Sequence, residues 1–439
     1  MKVAVVGTGG REAALAEVLG RTAEVVVTPG NPGLASSAAT PVEELVGGAS
    51  VDLVVIGPEQ PLVDGLADRL RARGVAVFGP GADGAQVEAS KAYMKGLALD
   101  AGLPTARHAT FDAVEEAVAF LRTLPGLYVV KTDGLAAGKG VLVTESLAEA
   151  EADVRHKLSG TAFGDAGRRV VIEEGMTGSE VSVFVVCDGT HAVGLPAAQD
   201  YKRVGDGDTG PNTGGMGAWS PLPFVTDDFH DDIADRFVAP TLAVLRDRGI
   251  DYRGVLYAGV MITPEGPKLV EYNVRFGDPD SQVVLLRMTS DLAELLAAAA
   301  DGDLTTVPRP TFADDAAVLV VAASEGYPTS VRTGDVIDGL DAARAVQGVT
   351  LLCAGVAGDD AGNLTTAGGR ALDVVGRGPD VASARAGAYE AMALLSWPGM
   401  HHRSDIASSA PGAVDATSRQ VGDGGRVRSG GPDHEGAKP

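Results

Sequence analysis

The sequence has few cysteines and far more acidic than basic residues. Only two cysteines, Cys187 and Cys353, occur in 439 residues. Each lies inside an apolar run and neither belongs to a CxxC motif, which favours buried free thiols over a disulfide or a zinc site. The 36 lysines and arginines face 59 aspartates and glutamates, a formal net charge of −23. Such a field repels nucleic acid, so we expect no nucleic-acid partner.

Long apolar runs are also missing. No segment approaches the roughly 20 apolar residues that a membrane-spanning helix needs. The opening MKVAVVGTGG reaches glycine too soon for a signal peptide. We therefore expect a cytoplasmic protein with no membrane partner. With 45% hydrophobic and 22% charged residues, the chain has the composition of a globular protein and the length for two or three domains.

Short apolar strands alternate with helical stretches over residues 1–80. Strands are predicted at 2–7, 23–30, 51–58 and 75–80, and helices at 64–73 and 86–101. This rhythm predicts a doubly wound parallel sheet that binds ligands outside the carboxyl ends of its strands. Further strands are predicted at 128–131, 170–174, 254–263, 267–277 and 316–324, and further helices at 147–158 and 382–396.

The most unusual stretch is QDYKRVGDGDTGPNTGGMGAWSP, residues 199–221, called the glycine-rich segment below. Its six glycines alternate with acidic, basic and amide side chains. Glycines let backbone amides approach a ligand closely, and the mixed charges indicate a ligand with a negative and a positive end. A flexible surface loop is the alternative, although a Gly-Met-Gly sequence beside Trp219 is not typical of one.

The first turn, Gly7 to Glu12, resembles a dinucleotide fingerprint but does not satisfy it. Glu12 stands where the third glycine of GxGxxG is required, which excludes a dehydrogenase. The amides that open the following helix can still hold a phosphate, with Arg11 as an added cation. A purely structural tight turn is the alternative.

Two lysines flank a possible phosphate-binding loop in YVVKTDGLAAGKG. Lys131 ends an apolar strand and Lys139 lies in the glycine-rich loop that follows. This arrangement suits the clamping of a polyphosphate, although the spacing is not that of a P-loop. Solvated lysines on a hairpin are the alternative. Downstream, the strand ending Glu173-Glu174 could offer its backbone to an adenine edge and Glu180 could accept from ribose hydroxyls; surface acids are the alternative there.

The strand in KLVEYNVRFGDPD places polar side chains on one face. With a period of two, Glu271, Asn273 and Arg275 share a face while their apolar neighbours pack on the other. A carboxylate and an amide oxygen two residues apart suit Mg²⁺, whose other ligands would be phosphates and water. Arg275 could then meet a carboxylate or the transferring phosphate. A half-exposed polar strand face is the alternative.

Taken together, these segments resemble the phosphoribosylamine–glycine ligases of the ATP-grasp superfamily. The resemblance runs from Met1 to about Ile406 and includes VVGTGGREAAL, EASKAYMK, VVKTDGLAAGKGVLV, EYNVRFGDPDSQ, HRSDIA and the glycine-rich segment. It implies an α/β protein: an N-terminal doubly wound parallel sheet at 1–101, a central ATP-grasp domain of two α+β subdomains at 102–308 with a lid at about 118–185, and a small C-terminal α/β domain at 309–407. The tail, 408–439, lacks apolar periodicity and is expected to be disordered.

The family implies that ATP phosphorylates glycine and that 5-phosphoribosylamine attacks the acyl phosphate. The implied ATP-binding residues are Lys91, Lys131, Lys139, Glu173, Glu174, Met176 and Glu180. The implied substrate-binding residues are Gly9, Gly10, Arg11, Glu12, Asp200, Lys202, Asn212, Thr213, Gly214, Gly215 and Arg275. The catalytic set is Arg275, Lys139 and Asp208, and Glu271 and Asn273 would hold Mg²⁺ or Mn²⁺. We expect a monomer.

Departures from the usual family pattern occur at Ala13, Tyr201, Asp280 and Ser281, and at Pro32 in PGNPG. They fall mainly on the amine and sugar side of the implied site, so a paralogue that uses another amine or amino acid is the second hypothesis. A nucleotide-binding regulator without catalysis is the third, and the joint presence of the lysine, metal and arginine candidates disfavours it.

Overall fold

The computed structural model describes residues 1–48, 51–135, 140–160 and 168–408. The predicted phosphate ligand Lys139 lies outside the described residues, as does the predicted tail except for Ser408. Among the described residues, no helix combines the length and the apolar character needed to cross a bilayer.

Strands and helices alternate in the first third of the chain, and strands predominate afterwards. The strands are β1 (Lys2–Gly7), β2 (Glu24–Pro29), β3 (Leu53–Ile56), β4 (Val77–Phe78), β5 (His108–Phe111), β6 (Tyr128–Thr132), β7 (Val141–Thr144), β8 (Val170–Glu174), β9 (Ser179–Asp188), β10 (Ala192–Gly194), β11 (Gln199–Asp200), β12 (Arg203–Gly205), β13 (Thr209–Asn212), β14 (Gly217–Ser220), β15 (Arg253–Thr263), β16 (Gly266–Asn273), β17 (Ala316–Ala323), β18 (Val349–Cys353), β19 (Val356–Gly358), β20 (Leu364–Thr366) and β21 (Arg370–Gly378). The α-helices are α1 (Gly10–Leu19), α2 (Val42–Gly48), α3 (Glu59–Val63), α4 (Leu66–Arg71), α5 (Ala82–Ala89), α6 (Lys91–Asp100), α7 (Val114–Leu121), α8 (Leu147–Leu158), α9 (Phe229–Ile233), α10 (Ala239–Asp247), α11 (Asp280–Leu285), α12 (Leu292–Asp301), α13 (Leu340–Arg344) and α14 (Val381–Met392). A π-helical turn at Ala234–Val238 and a 3-10 turn at Leu304–Thr306 complete the set.

The N-terminal sheet is parallel throughout, with strand order β2-β1-β3-β4. This confirms the predicted parallel sheet. The predicted single helix over 86–101 is wrong, because Ser90 divides it into α5 and α6. Ser90 has an extended backbone, and its side chain accepts a hydrogen bond from the Tyr93 amide and caps α6. Serine prefers this N-cap position to a helix interior. The helix predicted from Asp64 to Arg73 is likewise shorter, because α3 ends at Val63 and α4 begins at Leu66.

A second sheet, called the small sheet, has the antiparallel order β5-β8-β6-β7. Helices α7 and α8 pack on it and form a core that is separate from the rest of the molecule. The small sheet begins at His108 and ends at Glu174. The lid predicted at about 118–185 therefore leaves out β5 and includes most of β9, which belongs to another sheet.

A third sheet, called the large sheet, has the antiparallel order β10-β9-β15-β16. Its long strands β9 and β15 pair over ten residues, and the apolar side chains of β9 are buried. Helix α12 packs against β9 and β15. The large sheet is therefore a well-packed support for the polar residues of the candidate site.

The C-terminal sheet takes strands from two distant parts of the chain. Its antiparallel order is β11-β14-β17-β21-β18. Strands β11 and β14 come from the glycine-rich segment, and β14 pairs residue by residue with the fully buried β17. The predicted boundary between 102–308 and 309–407 therefore separates strands that share one sheet.

Candidate active site

One face of the large sheet carries carboxylates around a glycine. In the register of the strands, Gly259 stands opposite Glu271 on one side and Ser182 on the other. A Cβ placed on Gly259 would lie 3.5 Å from Cγ of Glu271 and 3.8 Å from Oε1 of Glu180. The absence of a side chain there leaves the space between the two carboxylates open. Asn273 follows on the same face of β16.

Three lysines from separate parts of the chain lower the pKa of the Glu271 carboxylate. Burial opposes its ionisation, but Lys131, Lys91 and Lys202 together hold the pKa of Glu271 below its usual value. Lys131 comes from β6 of the small sheet, Lys91 opens α6, and Lys202 lies in the glycine-rich segment. The fold thus brings four of the predicted site residues to one cleft between the small and large sheets.

Glu173 holds two buried lysines. Its Oε2 lies 2.9 Å from Nζ of Lys95 and its Oε1 lies 2.9 Å from Nζ of Lys131. Both side-chain oxygens therefore form ion pairs within the chain, and nucleotide binding by Glu173 stays a prediction. Lys95 was missed by the sequence reasoning. Its signal is present in EASKAYMK, where Lys91 and Lys95 are one helical turn apart and point to the same side.

Lys95 connects the small sheet to the large one. Beyond Glu173, its ammonium donates to Oγ1 of Thr105 at 2.8 Å, and that hydroxyl donates to the carbonyl of Leu269 in β16 at 2.7 Å. Burial, partly offset by Glu173, lowers the pKa of Lys95 to about 8. The pKa of Lys131 is raised instead, because the Glu173 and Glu271 charges outweigh its burial.

Arg275 pairs with two glutamates. Strand β16 ends at Asn273, earlier than the predicted 277, yet a terminal nitrogen of Arg275 still lies 3.5 Å from Oδ1 of Asn273. The guanidinium lies 3.4 Å from Glu59 and 3.2 Å from Glu88. Glu88 is buried, and burial raises its pKa although Arg275 opposes the shift. Neither glutamate was predicted from the sequence. Glu59 opens α3 and Glu88 lies near the end of α5, and neither belongs to a distinctive chemical pattern.

The predicted adenine-binding stretch lies where the small sheet meets the large one. Oε1 of Glu174 accepts from the Arg107 amide at 3.0 Å, and the Glu174 amide donates to the Arg107 carbonyl at 2.9 Å. Met176 is half-buried in the connection to β9. Glu180 accepts a hydrogen bond from Lys202 at 3.0 Å. Nucleotide binding by these residues stays a prediction.

Lys202 is held between carboxylates in the glycine-rich segment. Its Nζ lies 2.9 Å from Oδ1 of Asp200 and 3.0 Å from Oε1 of Glu180. Burial raises the pKa of Asp200 although Lys202 opposes it, whereas the pKa of Lys202 lies well above its usual value because the neighbouring carboxylates outweigh burial. The Thr213 amide and hydroxyl both donate to the Lys202 carbonyl, at 2.7 and 2.9 Å.

The other predicted residues of this segment are held by the C-terminal part of the chain. The Gly214 amide donates to the Tyr327 hydroxyl, and its carbonyl accepts from Arg370, both at 2.9 Å. Gly215 donates to Oγ1 of Thr213 at 2.9 Å. Asn212 pairs with Arg203 across the β12–β13 ladder. Asp208 pairs with Arg403. Its surroundings therefore differ from those of Arg275, the other catalytic candidate among the described residues.

The N-terminus of α1 is occupied by its own glutamate. Oε2 of Glu12 accepts from the Gly9 amide at 2.6 Å, and Oε1 accepts from Nε of Arg11 at 2.7 Å. Arg11 is buried and also donates to the Phe276 carbonyl. Glu12 thus contacts both Arg11 and the Gly9 amide, and phosphate binding by this turn stays a prediction. Gly10 lies against Asp373, since a Cβ at Gly10 would lie 1.8 Å from Oδ2 of that residue.

The departures from the family pattern divide into buried and interfacial positions. Ala13 is 2% exposed in the core, and Asp280 and Ser281 are buried in the first turn of α11. Tyr201 instead contacts the C-terminal part, because its hydroxyl accepts from the Ala407 amide at 2.9 Å.

The donor set of the predicted metal site is small. Among the described residues, no group of three or more histidine, cysteine, aspartate or glutamate side chains could hold a metal ion. The ionised carboxylate of Glu271 and the amide oxygen of Asn273 supply two hard oxygen ligands, which suits a divalent cation that takes its other ligands from phosphates and water.

An N-terminal parallel sheet, followed by two antiparallel sheets whose lysines and carboxylates meet in one cleft, defines the ATP-grasp class of enzymes. This class uses ATP with divalent metal ions in general. Models of one family within it cover most of the chain: the Phosphoribosylglycinamide synthetase N domain matches residues 1–88, the ATP-grasp (A) domain 89–281 and the C domain 317–409. The chain belongs to the phosphoribosylglycinamide synthetase family.

Curated relatives and solved structures agree with this family. A phosphoribosylamine–glycine ligase of Xylella fastidiosa (strain 9a5c) is 46% identical over 426 residues, covering 92% of this chain and 96% of the relative. One from Escherichia coli O157:H7 is 46% identical over 421 residues, covering 92% and 98%. The crystal structure of the Thermotoga maritima phosphoribosylamine–glycine ligase superposes with a TM-score of 0.80 at 34% identity, covering 92% of this chain and 100% of that one. A Campylobacter jejuni biotin carboxylase, at 13% identity and a TM-score of 0.67, covers 91% and 92% and shares the fold alone.

Proposed function

We propose that this chain is a phosphoribosylamine–glycine ligase of purine biosynthesis. It joins glycine to 5-phosphoribosylamine at the expense of ATP, and releases glycinamide ribonucleotide, ADP and phosphate. The observation that carries the proposal is the cluster of charged groups on the large sheet, where Gly259 leaves space between Glu271 and Glu180 and Nζ of Lys202 lies 3.0 Å from Oε1 of Glu180. Cations around a metal-binding carboxylate are what an acyl phosphate-forming enzyme needs, because the developing charge lies on phosphate oxygens.

The reaction has two steps. A carboxylate oxygen of glycine attacks the γ-phosphorus of ATP, the bond from that phosphorus to the β–γ bridging oxygen breaks, and ADP leaves. The nitrogen of 5-phosphoribosylamine then attacks the carbonyl carbon of glycyl phosphate, and the carbon–oxygen bond to phosphate breaks. The nitrogen loses one proton to solvent and inorganic phosphate leaves. No protein nucleophile is required, so the side chains position the reactants and neutralise charge.

The described side chains suit these roles. Lys131 and Lys91 would bind the ATP phosphates, together with Lys139, while the backbone near Met176 would meet adenine and Glu180 the ribose. Glu271 and Asn273 would hold Mg²⁺, which when bound neutralises phosphate charge. The low pKa of Glu271 keeps its carboxylate ionised for that purpose.

The substrate side draws on the glycine-rich segment and the N-terminal part. Lys202, Asp200 and the 212–215 turn would orient glycine and the acyl phosphate, with Arg275 beside them. The turn at 9–12 would contact the phosphoribosylamine. Since Glu12 and Asp373 crowd that turn, we propose that it meets hydroxyl or amine groups of the sugar rather than its phosphate.

The first experiment measures ADP release from ATP and Mg²⁺ while glycine and freshly generated 5-phosphoribosylamine are each omitted in turn. We expect turnover only when both are present, with glycinamide ribonucleotide detected by mass. ATP binding without turnover on this pair would contradict the proposal and favour a paralogue that uses another amine or amino acid. Such an enzyme should turn over when other amines and amino acids are screened.

A further inference from the structure

The glycine-rich segment is built into the C-terminal sheet at both of its ends. Strand β11 pairs with β14, and β14 pairs with β17 over residues 217–220. Between these strands, β12 and β13 form a separate two-stranded hairpin. The ends of this hairpin meet at Lys202 and Thr213, where Thr213 donates twice to the Lys202 carbonyl. A shift of the hairpin would therefore move Lys202.

The tip of the hairpin is held by residues 401–407, called the C-terminal clasp. Nε2 of His401 and the Val204 carbonyl are 2.8 Å apart. The Ser404 amide donates to Oδ1 of Asp206, and the Gly207 amide donates to Oδ2 of Asp405, each at 2.8 Å. The clasp thus binds the hairpin through backbone groups on both sides.

Arg403 is the centre of the clasp. Although it is an arginine, its side chain is only 1% exposed. Its guanidinium donates to Asp405 at 2.7 and 2.6 Å, to Oδ1 of Asp208 at 2.7 Å and to the Arg203 carbonyl at 3.1 Å. It also lies 4.8 Å from the ring centroid of Tyr201. A buried arginine whose donors reach both β12 and the turn that follows it fixes the hairpin better than a flexible lysine could.

Asp208 is the hairpin's partner in this contact. It adopts the left-handed backbone conformation, with φ of 54° at the tip, and its side chain is 68% exposed. It forms an ion pair with Arg403, which lies in the clasp. An exposed carboxylate tied to a structural arginine does not have the surroundings of a catalytic group.

We propose that Arg403 is a positioning residue that holds the β12–β13 hairpin and thereby places Lys202 between Asp200 and Glu180. Asp208 then acts through Arg403 and not on the substrate. The inference rests on the proposed function and deepens it, because it names which residues outside the cleft set the geometry of the substrate side. Misplacement of a binding group by about 1 Å can cost as much as about 100-fold in rate, so the effect should be measurable.

The test compares Arg403→Met, Arg403→Lys and Asp208→Asn with the wild-type full-length enzyme. Methionine keeps the length of the side chain, lysine keeps the charge without the planar fork, and asparagine tolerates the left-handed backbone at Asp208. The control is Asp232→Asn, which breaks an ion pair of the same 2.7 Å length with Arg236 on the helices that follow the segment. KM values for ATP, glycine and 5-phosphoribosylamine, kcat and melting temperature are measured for each.

We expect Arg403→Met to raise KM for glycine or 5-phosphoribosylamine by about tenfold or more, with KM for ATP close to wild type. Arg403→Lys should recover part of the loss, Asp208→Asn should show a smaller rise in the same KM, and the control should show none. A large fall in kcat for Asp208→Asn at unchanged KM would overturn the proposal and restore a catalytic role for Asp208. Unchanged KM values in all variants, or an equal rise in KM for ATP, would overturn it as well.

Two controls keep the result interpretable. If Arg403→Met does not fold, Asp208→Asn still decides, because that side chain is largely exposed and its loss leaves no cavity. The omission experiment on the wild-type enzyme separates the two proposals. If wild-type turnover requires both substrates but the variants are unaffected, only the positioning role of Arg403 is rejected. If the wild-type enzyme shows no turnover, the proposed function is rejected.

Discussion

Asp373 is a carboxylate buried where three parts of the chain meet. It lies in β21, accepts from Nε2 of Gln282 at 3.1 Å, and faces Gly10 at the start of α1. Burial, with a further contribution from Asp278, raises the pKa of Asp373 to about 7, although Arg370 opposes the shift. Within the described part of the chain its Oδ1 has no hydrogen-bond partner. The surroundings of Asp373 therefore favour the neutral, protonated form of its carboxyl group.

The raised pKa predicts how stability depends on pH. An unfolded aspartate titrates near ~3.9, so between that value and about 7 the folded protein binds the extra proton. The contribution of Asp373 to the free energy of unfolding is then full at low pH and is lost as the pH rises toward 7. We expect Asp373→Asn to remove this loss, so that the variant gains stability relative to wild type between pH 5 and pH 8.

Denaturant unfolding of both proteins at several pH values in this range measures the effect. Asp405→Asn is the reference variant, because the pKa of Asp405 is low, about 2, and its titration lies below the range. A difference in unfolding free energy between Asp373→Asn and wild type that stays constant from pH 5 to pH 8 would contradict the assignment.

Glu271, Asn273 and Lys131 were singled out from the sequence because their residue types and spacing suit metal and phosphate binding. In the structure the charges of Glu271 and Lys131 shift each other's pKa, and Asn273 lies on the same strand as Glu271; their roles stay predictions. Lys95 and Glu88 were not found, because a buried partner of a charged group has no local pattern; it is defined by what the fold brings next to it. Arg11 is the opposite case. The sequence pattern suggested a cation available to a phosphate, whereas in the structure Nε of Arg11 donates to the adjacent Glu12.

At the scale of elements, strand β16 carries the metal candidates into the cleft. Gln at position 271 keeps the shape of the side chain and its place opposite Gly259, but it removes the charge that a hard divalent cation needs. We expect Glu271→Gln to lower Mg²⁺-dependent turnover by about 100-fold or more while the melting temperature changes little. Steady-state rates across a Mg²⁺ titration provide the measurement.

The matched control for this prediction lies on the same β15–β16 hairpin. Glu265→Gln changes an exposed glutamate that pairs with Lys268 at 3.4 Å. This control should behave as wild type. If Glu271→Gln and Glu265→Gln had the same Mg²⁺ dependence, β16 would not hold the metal.

Element types were predictable where apolar periodicity was long, and boundaries were predictable for some elements only. Helix α8 begins and ends where it was predicted, and the parallel strands of the N-terminal sheet were found because each has an apolar run bounded by glycine or proline. The break at Ser90 was missed, although serine favours the N-cap position; its hydroxyl also donates to Asp133 at 2.9 Å, a contact between residues 43 positions apart that local sequence does not reveal. The membership of β11 and β14 in the C-terminal sheet could not be predicted either, because the pairing of β14 with β17 joins distant parts of the chain.

At the scale of the whole molecule, the C-terminal end of the described chain packs against the glycine-rich segment. Residues 401–407 hold the hairpin, and the Ala407 amide donates to the Tyr201 hydroxyl. We expect a chain that ends at Ser408 to retain activity and melting temperature, because 409–439 has the composition of a tail without apolar periodicity. A chain that ends at Met400 should lose most of its activity.

The pair of truncations is compared in the same assay of ADP release and by thermal melting. The decisive quantity is KM for glycine and for 5-phosphoribosylamine in any truncated chain that still folds. Loss of activity on removal of 409–439 alone would contradict the expectation for the tail, and full activity without 401–408 would contradict the role of the clasp.

The shared C-terminal sheet also has a consequence for synthesis on the ribosome. Residues 199–220 leave the ribosome well before their partner strand β17 at 316–323, and β21 follows only at 370–378. The small and large sheets can assemble from chain that has already emerged by residue 273. Strand β14 lacks its partner β17 during that interval, so the small and large sheets can form before the C-terminal sheet is complete.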